Sequence, residues 1–227
     1  MDPLADSAFS WSPFRYSFDN PISYFDPDGN FEISKDTEKK YPELSKYLKG
    51  LVDAWNSQSQ GFRDAFLSTS GLNEKDVIKM LTYGEGPRLE VKELDMDTNN
   101  DGKIDKQING ETYVAKDPNT GQRKNANYGK GYIALDDDVV GMMENAKNAG
   151  DRQVGKIMVE STLFHEGTHF GNLKTNGSPN GTFTESGKEF EKRAYGLDIG
   201  RYNVRSYCNQ SQKIAVHPMA PLPRISK

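Results

Sequence analysis

The sequence predicts an α+β domain, and three observations lead to that class. Helical spacing of apolar residues dominates residues 37–81, short alternating segments between turns fill residues 88–140, and a long helical stretch covers residues 151–171. The 227 residues are enough for one domain with its own core. We therefore expect an N-terminal helical part, a small antiparallel sheet and two later helices that carry a site.

The N-terminal part has the pattern of amphipathic helices. Apolar residues between positions 37 and 59 recur on one helix face: Leu44, Tyr47, Leu48, Leu51, Val52 and Trp55. Pro42 suits the first turn of this helix. A second, short helix is predicted around Phe62 and Phe66, and Asn73 is a suitable N-cap for a third. These stripes indicate core packing more readily than a binding groove.

The middle of the chain alternates like β-strands between Asp, Asn and Gly turns. The predicted strands cover residues 89–94, 112–116 and 132–135. One turn resembles the start of an EF-hand calcium loop, because Asp97, Asn99 and Asp101 offer oxygens at alternate positions. Ile108 stands where that loop needs a bidentate Glu. Calcium binding and a polar turn that binds nothing both remain open.

The long helical stretch contains the pattern H-E-x-x-H at residues 165–169, which uses two of the three histidines in the chain. On a helix, His165 and His169 share one face, so both rings can reach one metal ion. Glu166 between them can act on a water molecule at that ion. Two ordinary histidines on a helix are the alternative. The pattern predicts a zinc hydrolase site with His165 and His169 as ligands and Glu166 as the catalytic residue.

A catalytic zinc ion needs a third protein ligand. No third histidine follows closely after the motif. If the third ligand is a glutamate from the next predicted helix, as in zinc sites of the gluzincin type that this motif resembles, the candidates are Glu185, Glu189 and Glu191. Glu189 has Lys192 and Arg193 three and four residues on, which indicates a solvated face. Glu191 falls on the apolar face. Helical phase therefore favours Glu191, then Glu189, then Glu185.

The H-E-x-x-H motif, together with the run E-x-x-A-Y that begins at Glu191, resembles zincin metallopeptidases of the gluzincin type found in toxins. The resemblance implies a zincin-like fold and hydrolysis of peptide bonds in a protein or peptide substrate. It implies Zn²⁺ on the two histidines and Glu191, with Glu166 as the base. His217 or Tyr195 is the candidate donor to the oxyanion. Residues 132–135 precede the site helix, and we expect them to form the edge strand that pairs with substrate.

The first 31 residues are a different kind of sequence, rich in Pro, Asp and aromatic residues. They resemble the end of the core of RHS/YD-repeat polymorphic toxins in four pieces: Asp2-Pro3-Leu4-Ala5-Asp6, Trp11-Ser12-Pro13, Asp19-Asn20-Pro21-Ile22 and Asp26-Pro27-Asp28-Gly29. In that family a toxin domain follows the last piece. The resemblance implies a core remnant at residues 1–31 and a metallopeptidase domain at residues 32–227. It also implies delivery from a bacterium by secretion or contact, an export signal upstream, and a cognate immunity protein.

Composition excludes several other classes. The net charge of −4 and the lack of a basic cluster disfavour a nucleic-acid partner. No apolar run reaches the length of a membrane span. Cys208 is the single cysteine, so no internal disulfide can form. A non-catalytic module stabilised by metal and a hydrolase of cell-wall peptides remain the alternatives to a protein-cleaving enzyme.

Overall fold

A computed structural model describes residues 33–99, 101–114 and 131–216, with side chains up to residue 211. The described residues form nine helices and three strands in the order α1 (Lys35–Lys40), α2 (Pro42–Lys49), α3 (Leu51–Asn56), α4 (Gln60–Ser70), α5 (Glu74–Leu81), β1 (Arg88–Lys92), β2 (Gly110–Val114), β3 (Gly131–Asp136), α6 (Asp137–Glu144), α7 (Ala149–Asn176), α8 (Ser186–Tyr195) and α9 (Val204–Val216). This confirms the α+β class. The remnant predicted at residues 1–31 lies outside the described residues.

The N-terminal part consists of more and shorter helices than predicted, although the residues that it buries are the predicted ones. Tyr41 precedes a proline and leaves the helical conformation, and Gly50 ends α2, so one expected helix becomes three. The apolar stripe is nevertheless buried, with Leu44, Leu48, Leu51 and Trp55 fully enclosed. Asn73 caps α5 as predicted, because its side chain accepts the N–H of Asp76 at 3.0 Å.

The sheet has the order β1-β3-β2, with β1 parallel and β2 antiparallel to β3. The predicted edge strand at residues 132–135 is therefore wrong, since it lies in β3 and has a partner on each side. The sheet is also mixed rather than wholly antiparallel. Along the chain β2 comes between β1 and β3, but in the sheet β3 lies between the other two strands. β1 therefore pairs with the side of β3 that β2 does not occupy.

Helix α7 crosses the middle of the domain and contacts α4, α6, α8, α9, β2 and β3. It extends past residue 171, where the predicted helical stretch ended. The glycine at that position allows close tertiary packing. A Cβ at this position would lie 2.7 Å from the backbone oxygen of Ser70 at the end of α4. The helix ends instead at Gly177, which has a left-handed φ of 75°. No helix in the described part of the chain combines the length and apolar character that a membrane crossing requires.

An aromatic cluster fixes α7 against α4 and α8. The rings of Phe62 and Phe164 meet edge to face at 5.1 Å, and Phe66 meets Phe164 at the same distance. Phe190 of α8 packs against both Phe62 and Phe66. Phe164 and Phe190 directly precede His165 and Glu191 in the chain. The packing of the core therefore sets the spacing of the two helices that carry the predicted site.

Candidate metal centre

Two histidines and one glutamate converge at the α7–α8 junction. The Nε2 atom of His169 lies 2.8 Å from Oε1 of Glu185, and the Nε2 atom of His165 lies 3.7 Å from the same oxygen. Each of the three residues offers one ligand atom, and these atoms lie within 4.8 Å of one another. A tetrahedral zinc ion with bonds of about 2.0–2.2 Å holds its ligand atoms about 3.3–3.6 Å apart. The donor types and their spacing therefore fit Zn²⁺.

The second nitrogen of each ring lies near an oxygen atom. Nδ1 of His169 lies 2.9 Å from the backbone oxygen of Pro179 and 3.3 Å from Oγ of Ser186. Nδ1 of His165 lies 3.5 Å from Oε2 of Glu191. Partners of this kind fix the tautomer and orientation of a metal-binding imidazole. Both rings thus present Nε2 towards Glu185.

Glu185 is the N-cap of α8 as well as the third member of this group. Its carboxylate accepts the backbone N–H groups of Gly187 and Lys188. The next turn lies directly on the site, because a Cβ on Gly187 would stand 2.3 Å from Cδ2 of His165. The start of α8 and the histidine ring are therefore in close contact.

The other two candidate ligands lie elsewhere on α8. Glu191 is buried, as helical phase predicted, but it stands behind His165 at the Nδ1 atom. Its Oε2 atom is buried and takes part in no hydrogen bond within the described residues, so its contact with Nδ1 of His165 at 3.5 Å is an electrostatic one. Glu189 faces solvent and pairs with Arg193 at 2.8 Å. The structure thus brings Glu185, which helical phase ranked last, to the two Nε2 atoms. Helical phase does not apply to Glu185, because this residue precedes the helix.

Glu166 is almost fully buried beside the histidines. Burial raises the pKa of its carboxyl group, while the two imidazoles and a hydrogen bond from Thr112 oppose that rise. The hydroxyl of Thr112 lies 2.8 Å from Oε2 of Glu166. A buried carboxylate beside two imidazoles, with its pKa moved upwards, is chemically able to accept a proton from water.

The electrostatic field at the site favours a cation. Burial lowers the pKa of His165, but Glu191, Glu166 and Glu185 together raise it to about 9. Burial also raises the pKa of Glu185, yet its hydrogen bond with His169 and the charge of His165 bring it down to about 2. Three carboxylates around two imidazoles stabilise positive charge, whether a proton or a metal ion carries it.

Of the two candidate oxyanion donors, the structure describes the side chain of Tyr195 but not that of His217. The hydroxyl of Tyr195 donates to Oε1 of Glu160 at 3.3 Å, inside a buried network that also contains Tyr47 and Gln58. This hydroxyl is therefore committed to the packing of α8 on α7. His217 lies outside the described residues.

The predicted calcium loop uses its oxygens within the loop itself. Asp97 accepts the backbone N–H groups of Asp101 and Gly102 at 3.2 and 2.8 Å. Asn99 accepts the N–H of Asp101 at 3.0 Å. These contacts are those of a polar turn.

A second cluster of carboxylates surrounds the positively charged side chain of Arg201. Arg201 reaches Asp95 at 2.8 Å and Asp136 at 2.6 Å, with Asp138 at 3.5 Å. The guanidinium group is largely buried and also bonds the backbone oxygen of Ile108. No local pattern in the sequence indicates this network, because Arg201 lies 65 residues from Asp136 in the chain. We interpret the group as a structural ion cluster.

A histidine pair on a central helix, under a small mixed sheet and facing a glutamate from the next helix, is typical of metal-dependent peptidases. Comparison with family models gives the particular family. The model of Metallopeptidase toxin 3 matches residues 37–196, which is more than half of the chain and includes both histidines and all three candidate glutamates. The chain belongs to this family and is a metallopeptidase toxin domain. No curated protein and no solved structure gave a match.

Proposed function

We propose that this domain is a zinc-dependent peptidase in which His165, His169 and Glu185 hold the metal ion and Glu166 is the general base. The observation that carries the proposal is the convergence of two Nε2 atoms and one carboxylate oxygen beside a buried carboxylate. Glu185 replaces Glu191 as our choice of third ligand. We assign Glu191 to the orientation of His165 through Nδ1.

Zinc, when bound, supplies Lewis-acid activation of water and of the substrate carbonyl. The protein supplies the proton transfer: Glu166 accepts a proton from the attacking water and delivers it to the leaving amine. Burial suits the side chain to both steps, because the upward shift of its pKa makes the carboxylate a stronger base. Glu191 and Pro179 keep the two imidazole rings in place during these steps.

We further propose that an extended peptide pairs with β2. This strand is at the side of the sheet next to Glu166, and within the described residues no strand pairs with its other side. Main-chain hydrogen bonds to such an edge hold a peptide without regard to most of its side chains. This assignment takes the place of the predicted pairing with residues 132–135.

The biological setting that we propose rests on family membership and on the first 31 residues. Membership of a toxin family supports a delivered effector with a protein substrate. The resemblance of residues 1–31 to the end of an RHS core supports export as the terminal domain of an RHS-type toxin. A producing cell then needs an immunity protein, and we propose that one binds this domain.

The peptidase proposal is tested with zinc-loaded protein and casein, a generic protein substrate. We expect cleavage that a chelator abolishes and zinc restores. Glu166→Gln keeps the shape of the side chain but removes the base, so we expect a loss of about 10²–10⁴-fold. Glu189→Gln, on the exposed face of α8, is the matched control and should cleave at the wild-type rate. Wild-type activity in Glu166→Gln would refute the role of this residue.

Zinc competition titrations test the ligand assignment without any substrate. Glu185→Gln removes a ligand and should weaken zinc binding by more than about 100-fold. Glu191→Gln alters the support of one ligand and should weaken it by about 10–100-fold. A larger loss in Glu191→Gln would return the third-ligand role to Glu191. Full zinc occupancy with no cleavage of casein, of a peptide library or of peptidoglycan would instead favour a non-catalytic module.

A further inference from the structure

Strand β2 contacts the side chain of Glu166 at two positions on one face. Gly110 and Thr112 are two residues apart, so both face α7. The hydroxyl oxygen of Thr112 lies 2.8 Å from Oε2 of Glu166 and 2.9 Å from its backbone oxygen. That backbone oxygen belongs to the regular hydrogen-bond pattern of a helix. The carboxylate is the stronger acceptor, so the single hydroxyl proton goes to it.

Gly110 contributes space rather than a hydrogen bond. A Cβ at this position would lie 2.9 Å from Cγ of Glu166 and 2.8 Å from Cγ2 of Thr162. Real Cβ atoms essentially never approach other heavy atoms so closely. The absence of a side chain at residue 110 therefore lets the strand lie directly against the stem of Glu166, while the hydroxyl two residues later holds its tip.

We infer that Thr112 and Gly110 are positioning residues that set the conformation of the Glu166 carboxylate for proton transfer. The inference rests on the proposed role of Glu166 as general base. Neither residue belongs to the proposed metal ligands. Among the described side chains, the hydroxyl of Thr112 is the donor that reaches this carboxylate. Its loss leaves a buried oxygen unsatisfied and frees the side chain to adopt other rotamers.

The first test is kinetic and uses the zinc-loaded protein with a library of quenched-fluorescent peptides. Thr112→Val keeps the shape and removes the hydroxyl, and we expect kcat to fall about 10–100-fold because the base is misplaced. KM and the zinc Kd should stay within about twofold, since neither depends on the hydroxyl. Thr112→Ser should restore kcat to within about threefold of wild type. Gly110→Ala should lower kcat by displacing the stem.

A matched control separates positioning from the general loss of a buried hydroxyl. Thr69 is fully buried, whereas Thr112 is half-buried, and the Thr69 hydroxyl donates to the backbone oxygen of Ala65 at 2.8 Å, within α4. Thr69→Val should lower the Tm but leave kcat unchanged. An unchanged kcat in Thr112→Val, or a failure of serine to rescue it, would overturn the inference.

The second test is thermodynamic and needs no substrate. Thr112→Val should lower the Tm by about 3–12 °C in the wild-type background, the shift expected for one hydrogen bond to a buried charge in a domain of this size. The same substitution should have little effect in a Glu166→Ala background, where the acceptor is gone. Equal shifts in both backgrounds would overturn the contact on which the inference rests. A wild-type protein that cleaves no peptide would refute the proposed function, while this comparison would still decide whether the two side chains are coupled.

Discussion

The replacement of Gly187 by alanine adds one methyl group where α8 meets the metal site. The new Cβ would lie 2.3 Å from Cδ2 and 2.4 Å from Nε2 of His165. Ordinary contacts between such atoms are about 3.5–4.0 Å, so the helix and the ring must separate by more than about 1 Å. Coordination distances tolerate errors of only about 0.2 Å. We therefore expect zinc affinity to fall about 10–100-fold, as it does when the support of a ligand is disturbed.

Helix propensity alone predicts that Gly187→Ala stabilises α8, so the two effects of the substitution can be distinguished. Gly187 lies within α8, where alanine is favoured over glycine by about 0.5–1 kcal/mol in the absence of other contacts. A loss of zinc affinity in Gly187→Ala thus cannot come from a weaker helix. It must come from the contact with His165.

Competition with a chromophoric chelator measures the affinity, and circular dichroism verifies the helix content. Gly61→Ala is the control, because it adds the same methyl group to α4 where nothing lies within 4 Å. This variant should bind zinc as the wild type does. Wild-type zinc affinity in a folded Gly187→Ala protein would refute the close packing of α8 on the His165 ring.

Three further predictions concern the surroundings of the site. Arg201→Met leaves two buried carboxylates without their partner and should reduce the free energy of unfolding in urea by about 3–5 kcal/mol. The exposed pair of Arg205 makes Arg205→Met a matched control with an effect within about 0.5 kcal/mol, and equal effects would contradict the burial argument. Tyr195→Phe removes the hydrogen bond to Glu160 and should lower the free energy of unfolding by about 1 kcal/mol, while the rate of casein cleavage stays constant. A loss of cleavage in a stably folded Tyr195→Phe protein would instead support Tyr195 as the oxyanion donor. Millimolar calcium should leave the Tm unchanged, and a rise of several degrees would revive the calcium site at residues 97–105.

The sequence predicted correctly those features that depend on residues close together in the chain. The i, i+4 spacing placed His165 and His169 on one face, and an Asn before a charged turn marked the start of α5. Helical phase separated the buried Glu191 from the solvent-facing Glu189, as the structure confirms. These features depend on residues within two helical turns of one another, so the sequence contains the information directly.

The features that the sequence did not predict depend on contacts between distant segments. A glycine such as Gly171 is common at the end of a helix, but α7 continues through it, and the end of α4 packs closely against this position. Glu185 reads as a residue before a helix, and only the packing of α8 on α7 brings it to the histidines. The order of the strands likewise follows from tertiary pairing, which strand periodicity does not encode. The cluster around Arg201 joins segments far apart in the chain and had no local signature.

The central claim is a zinc site made by His165, His169 and Glu185 next to Glu166. Anomalous diffraction at the zinc edge from crystals of the zinc-loaded protein tests it most directly. We predict one peak at about 2.0–2.2 Å from both Nε2 atoms and from a carboxylate oxygen of Glu185. The carboxylate of Glu166 should lie close to the ion without being its ligand. A peak bound by Glu191, or zinc bound only elsewhere in the protein, would contradict the account.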